Sequence, residues 1–191
     1  MSNALLCGID EAGRGPLAGA VFAAAVIVAE NFNTRELADS KKLSEKKRKE
    51  LSEKIFSECL YGVGTASVKE IDTLNILNAT MLAMKRAYNS LIKKLSLTEL
   101  SALSVIVDGN RTPDIPNCSA KIKADAQFAP VMAASIIAKH LRDQLMIHYG
   151  KKFPEYGFEQ HKGYCTKAHV AAIHKYGNSA IQRKSFTVPK A

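Results

Sequence analysis

The chain has no paired-cysteine motif. Its four cysteines, Cys7, Cys59, Cys118 and Cys165, are widely scattered, and none forms a CxxC or a Cys/His pair at zinc spacing. That excludes a disulfide framework and predicts free thiols in a reducing compartment. The five histidines (140, 148, 161, 169 and 174) all fall in the last third and form no HExxH, so a zinc hydrolase motif is missing too. The longest apolar runs, Val21 to Ala29 and Pro130 to Ala138, are far short of the roughly 20 residues that cross a bilayer. The N-terminus lacks the charged start and apolar stretch of a secretory leader, so a cytoplasmic location is expected. There is no internal repeat, low-complexity tract or linker. One domain over residues 1–191 is expected, long enough for a sizeable core. No Ser-His-Asp or Cys-His arrangement offers a protein nucleophile.

Positive charge is in excess. Lys and Arg number 27 against 18 Asp and Glu, for a net charge of +9 and a sequence pI near 9.4. The excess is local. Residues 41–54 read KKLSEKKRKELSEK, and residues 151–191 hold eight Lys/Arg against two Glu. Lys46 to Lys54 reads as the solvated face of a helix. The imbalance of the whole chain points to a polyanionic partner, nucleic acid foremost.

Hydrophobic periodicity places the elements. Ala4 to Asp10 reads as a strand, Val21 to Ala29 as a buried strand, and Leu60 to Val68 as a strand bent at Gly62 and Gly64. Ser44 caps a helix to Cys59 without a capping box, because Lys47 holds the third helical position. Ile71 to Leu95 carries an apolar stripe through Leu74, Leu77, Met81, Met84, Tyr88 and Leu91, a core-facing helix. Ser104 to Val107 is a short strand ending in Asp108-Gly109-Asn110. Ala129 to Tyr149 is a long helix with Pro130 near its start, and Thr166 caps a last helix that stops at Gly177. The class is α/β, a mixed sheet flanked by helices.

The acids carry the chemistry. Asp10 and Glu11 end an apolar run and precede Ala12-Gly13-Arg14-Gly15-Pro16. Adjacent carboxylates at a strand end suit a hard divalent cation, and the glycine-flanked arginine suits an anion. Asp108 repeats the pattern on a second strand, and such strand ends meet when the strands are neighbours. Asp125, in Lys123-Ala124-Asp125, precedes the long helix. Four acids in one site repel unless cations neutralise them, which implies two Mg²⁺ or Mn²⁺ ions and phosphodiester chemistry. Successive strand residues face opposite ways, so Asp10 is expected inward and Glu11 at a break, contributing from the start of the turn. Small residues Ala133-Ala134-Ser135 let the long helix pack closely, and its polar face is expected to carry Lys139, Arg142 and Asp143. In the segment 153–164, tyrosines among basic residues suit stacking on a sugar or base.

Gly8-Ile9-Asp10-Glu11-Ala12-Gly13-Arg14-Gly15-Pro16-Leu17-Ala18-Gly19 closely resembles the signature of bacterial ribonuclease HII, the type 2 ribonuclease H. Asp39 to Leu43, Val107 to Asn110, Lys123 to Asp125, Ala133 to Lys139, His161 to Tyr164 and Arg183 to Val188 are similar to its other motifs, in the family's order. The resemblance implies a ribonuclease H-like fold with a five-stranded mixed sheet. A catalytic core over about 1–150 would precede a helical substrate-binding part over about 151–191. It implies a monomeric endonuclease that cuts the RNA strand of RNA/DNA hybrids and incises 5′ to ribonucleotides embedded in duplex DNA, leaving 3′-hydroxyl and 5′-phosphate ends. It assigns metal binding to Asp10, Glu11, Asp108 and Asp125, with Asp10 bridging two cations. It assigns ribonucleotide 2′-OH recognition to Gly13, Arg14 and Gly15, and stacking to Tyr164. Ser40, Lys41 and Lys42 fall in a motif near the substrate backbone. The chain departs from the family pattern at Ala20, where proline is usual, at Cys165, where glycine is, and at Gln182, where histidine is common. Two other classes share parts of the pattern. One is a non-catalytic basic nucleic-acid-binding protein, which does not need four acids. The other is a metal-dependent phosphatase or nuclease of different specificity.

Overall fold

Strands β1 (Leu5–Ala12) and β2 (Val21–Ile27) pair antiparallel and form the middle of the sheet. The computed structural model describes residues 5–37 and 43–190. Ser40, Lys41 and Lys42 lie outside the described residues. β3 (Leu60–Ala66) pairs antiparallel with β2, while β4 (Leu103–Asp108) runs parallel to β1 and β5 (Cys118–Lys121) parallel to β4. The sheet is five-stranded, in the order β3-β2-β1-β4-β5. The short β5, read CSAK, alternates, but with four residues and no β-branched or aromatic side chain it does not register as a strand in the sequence.

Helices cover both faces. α1 (Glu45–Glu58) starts at Ser44, whose hydroxyl accepts from the Lys47 N–H as expected of a lone cap. α2 (Val68–Ile92) starts earlier than its stripe predicts. Ser67 and Glu70 form a full capping box, and Asn75, at φ 66°, interrupts the helix and caps its second half through Asn78. α3 (Leu97–Ser101) is a short capped helix. α4 (Ala129–Lys152) has Pro130 in its first turn, α5 (Phe158–His161) is a single turn, and α6 (Lys167–Tyr176) runs from its Thr166 cap to Gly177. No described helix is long and apolar enough to cross a membrane.

The pleat of β1 sorts two cores. Cys7 and Ile9 pack with Val105, Val107 and the α2 side chains Ala83, Met84 and Leu91. Ala12, Ala24 and Val26 pack with α1 and with Ala133, Ala134 and Ile137 of α4. Each fully buried aliphatic contributes roughly 1.5–3 kcal/mol of transfer free energy. Glycines set the helix-to-sheet spacing. A Cβ on Gly8 would stand 2.2 Å from the Pro130 carbonyl carbon, so α4 lies with its backbone against β1. Gly64 does the same for α2, where a Cβ would meet the Ala83 carbonyl oxygen at 2.2 Å. Gly62 and Gly64 thus serve close packing against α2, and β3 pairs with β2 along its whole length. A third cluster joins Ala18 and Met146 to Tyr156, Phe158 and Ala172, seating the C-terminal helices on the end of α4.

Candidate metal centre and substrate cleft

The β1–β4 ladder ends at Ile9 opposite Val107, one step short of setting Asp10 beside Asp108. Both side chains point to the α4 face, because Ile9 and Val107 face α2. The loop after β5 returns through a 3₁₀ turn, Ala124–Ala126, with Lys123 in the left-handed region at φ 59°. There the Ala124 N–H donates to Asp108 Oδ1 at 2.7 Å, and Asp125 follows. One carboxylate oxygen from each of Asp10, Asp108 and Asp125 lies within 4.8 Å of the others, and Asp10 and Asp125 are buried.

Glu11 lies outside this three-way contact, although its carboxyl meets that of Asp10. The strand does not break between them. β1 continues through Ala12, with Glu11 opposite Ala23, so Glu11 leaves the opposite pleat and not a turn. The antiparallel partner β2 is long enough to hold both residues, a constraint that the turn-forming sequence 12–16 does not reveal. Glu11 Oε1 accepts from Arg14 at 3.2 Å, while its buried Oε2 has no hydrogen-bond donor among the described residues. Burial, then the charge of Glu11, holds the Asp10 carboxyl well above the usual carboxylate range, against donation from Ser135 and the Glu11 N–H. Burial likewise raises Glu11, opposed by Arg14. Clustered hard oxygens, a buried unpartnered carboxylate oxygen and carboxyls that resist ionising together suit divalent cations.

A cleft of about 350 Å³ opens beside the acids. Glu11, Gly13, Arg14 and Gly15 line it together with Arg48, Ser135, Lys139 and Tyr164. Tyr164 is 42% exposed and stands beneath two cations, Lys139 Nζ at 5.5 Å and the Arg142 guanidinium at 5.7 Å from the ring centre. A larger cavity, about 750 Å³, lies between α6 and the tail, but no carboxylate lines it and the chemistry is elsewhere.

Two of the three side chains expected on the polar face of α4 are buried. Asp143 accepts from Lys139 at 2.7 Å and lies 3.6 Å from Arg48, holding two of the cleft's cations. Arg142 is fully buried and donates to the carbonyls of Ala18, Ala20 and Lys162. Arg48 and the carbonyls that accept from Arg142 are distant in sequence, so helical spacing alone puts these two side chains in water. Arg183, also fully buried, donates to Gly13, Arg14 and Gly19. Burial and the nearby Arg142 pull its pKa down to about 9. The histidines form no metal set among the described residues: His161 and His169 stack at 4.5 Å and bond backbone. Of the departing residues, Cys165 is exposed, and Gln182 is buried with no partner for its amide among the described residues.

A sequence profile of the family Ribonuclease HII matches residues 7–188. Ribonuclease HII of Treponema denticola is 53% identical, covering 96% of this chain and 98% of that protein. Ribonuclease HII of Coxiella burnetii is 49% identical, covering 97% of this chain and 89% of that protein. Among solved structures, the complex of PCNA with RNase HII from Archaeoglobus fulgidus contains a chain of the same fold, with a TM-score of 0.74 and 27% identity, covering 98% of this chain and 97% of that one.

Proposed function

Because this chain belongs to the ribonuclease HII family, and so is a metal-dependent type 2 ribonuclease H that cuts the RNA of RNA/DNA hybrids, we propose that it also incises duplex DNA 5′ to single embedded ribonucleotides. The observation that carries the reading is the convergence of Asp10, Asp108 and Asp125 within 4.8 Å beside a cationic cleft. A non-catalytic binder has no use for three mutually repelling carboxylates, two of them buried.

Asp10, Asp108 and Asp125 would hold two divalent cations, Mg²⁺ or Mn²⁺, with Glu11 completing the set from the neighbouring pleat. Bound there, such ions supply activation of water and neutralisation of charge on the scissile phosphate. The remaining work falls to the chain's own groups. Ser135 and the Glu11 N–H orient the Asp10 carboxylate. The backbone of Gly13-Arg14-Gly15 bonds the ribose 2′-OH and so rejects deoxyribose. Tyr164 stacks on the sugar beyond the junction. Arg48 and Lys139 hold backbone phosphate, and Ser40, Lys41 and Lys42 belong to a motif that serves near the substrate backbone. Residues 151–191 serve as the substrate-binding part of a single domain whose core is residues 1–150. The enzyme works as a cytoplasmic monomer.

The test is a duplex with one ribonucleotide, labelled at either end, incubated with and without Mg²⁺ or Mn²⁺. The reading expects a single metal-dependent cut 5′ to the ribonucleotide, with 3′-hydroxyl and 5′-phosphate ends. Cutting of all-DNA duplex, or a cut without added metal, refutes it.

A further inference from the structure

Arg183 comes from the C-terminal tail, yet its side chain ends beneath the loop that follows β1. Its guanidinium donates to the Gly13 carbonyl at 2.6 Å, to Arg14 at 2.9 Å and to Gly19 at 2.9 Å, and its own N–H donates to Leu17 at 2.9 Å. No carboxylate forms an ion pair with it among the described residues. Each of its three nitrogens donates to one carbonyl oxygen, and the guanidinium lies 5.0 Å from the centre of the Phe186 ring. A buried charge with no carboxylate partner among the described residues is costly, so the arrangement needs a reason beyond stability.

Peptide geometry supplies one. In a trans peptide the carbonyl and the N–H of the same plane point in opposite directions. Holding the Gly13 carbonyl inward turns the Arg14 N–H outward, and holding the Arg14 carbonyl inward turns the Gly15 N–H outward. Neither N–H bonds another group among the described residues. Both residues line the cleft, and Gly15 is open enough that a Cβ would meet nothing within 4 Å. Gly13 takes φ 100° to make the bend, and a Cβ there would strike the Arg142 side chain at 2.1 Å. Arg142 also donates to Lys162, two residues before Tyr164. The paired arginines thus brace the Gly13–Arg14 backbone and the segment that leads to Tyr164.

We propose that Arg183 is a specificity-determining positioning residue: by pinning the Gly13 and Arg14 carbonyls it aims two amide donors at the substrate's 2′-OH. This rests on the assignment of 2′-OH recognition to the Gly-Arg-Gly loop. Lysine keeps the charge but not the planar fork, so Arg183→Lys should unpin one carbonyl while leaving the buried charge in place.

The experiment compares kcat/KM on two duplexes that differ only at the embedded nucleotide, 2′-OH in one and 2′-fluoro in the other. A site built to bond a hydroxyl discriminates strongly against its absence. Wild type should cut the hydroxyl substrate far better. In Arg183→Lys that preference should shrink at least tenfold, because the variant and the substrate change remove the same contact. A purely structural role would lower both rates together with the folded fraction and leave the ratio unchanged, and that result overturns the proposal. Should Arg183→Lys fail to fold, Asp72→Ala replaces it. Asp72 accepts from Lys184 N and from Ser185 N and Oγ at the protein surface, anchoring the tail next to Arg183. A reduced ratio supports the proposal, and a wild-type ratio overturns it. Indifference of wild type itself to the 2′ substituent would remove the loop assignment, and the proposal with it.

Discussion

Asp108 accepts a 2.7 Å hydrogen bond from the backbone N–H of Ala124, the residue immediately before Asp125. One carboxylate oxygen thereby fixes the turn that presents the next carboxylate. The two acids act as a unit, so their mutational effects should not add. Asp108→Ala and Asp125→Ala should each lower cleavage of an RNA/DNA hybrid by a thousandfold or more, in the range seen for groups that act together in other active sites. The double variant should be little worse than Asp108→Ala alone. Steady-state rates for the three proteins check this, and simple multiplication of the two losses would contradict it.

The raised carboxyls make a pH prediction with a definite sign. Asp10 and Glu11 hold protons more tightly when folded than when unfolded. In metal-free protein their contribution is fully present below the unfolded carboxylate range, about pH 4, and is lost as pH rises through the folded values. Asp10→Asn should therefore stabilise the metal-free protein at pH 8 and do little at pH 4. Mn²⁺ at a hundredfold excess over its Kd should add about 2.7 kcal/mol to wild type. That is roughly 5–10 °C in Tm for a chain of this size. The Asn variant should gain much less. Thermal melts at both pH values, with and without Mn²⁺, measure it.

Asp143 links Lys139 and Arg48, two cations of the cleft. Asp143→Asn should release them and leave Arg48 without its carboxylate. A loss of about 1–3 kcal/mol in stability is expected, smaller than for a fully buried pair because Lys139 is partly exposed. KM for hybrid should rise about tenfold, and the salt dependence of binding should flatten. Chemical unfolding and salt-titrated binding read the two effects separately.

Tyr164 is 42% exposed and supports no core. Tyr164→Ala should leave Tm within about 1 °C, since exposed substitutions cost little. It should lower kcat/KM on a single-ribonucleotide duplex about 10- to 100-fold, the worth of one stacked contact. Equal activity on junction and long-hybrid substrates would remove the stacking role.

Much of this site is legible in the chain. Asp10 and Asp108 each end an apolar run, and a carboxylate delivered by a strand into a glycine turn marks a strand-end site on local grounds alone. Ser44 and Thr166 cap the helices they precede, because capping is decided within three residues. The rest depends on contacts that local sequence does not encode. β1 runs on to Ala12 because β2 pairs with it there. Asn75 breaks a stripe that reads as one continuous helix. Arg142 and Arg183 look like surface cations until the loop at 13–20 brings its carbonyls to them.

The most direct measurement is cleavage by Asp10→Asn. With Mg²⁺, the account predicts that this variant folds, binds an RNA/DNA duplex as tightly as wild type and leaves it uncut. Turnover retained at a substantial fraction of the wild-type rate would contradict the assignment of divalent cations to the carboxylates that meet at the ends of β1 and β4.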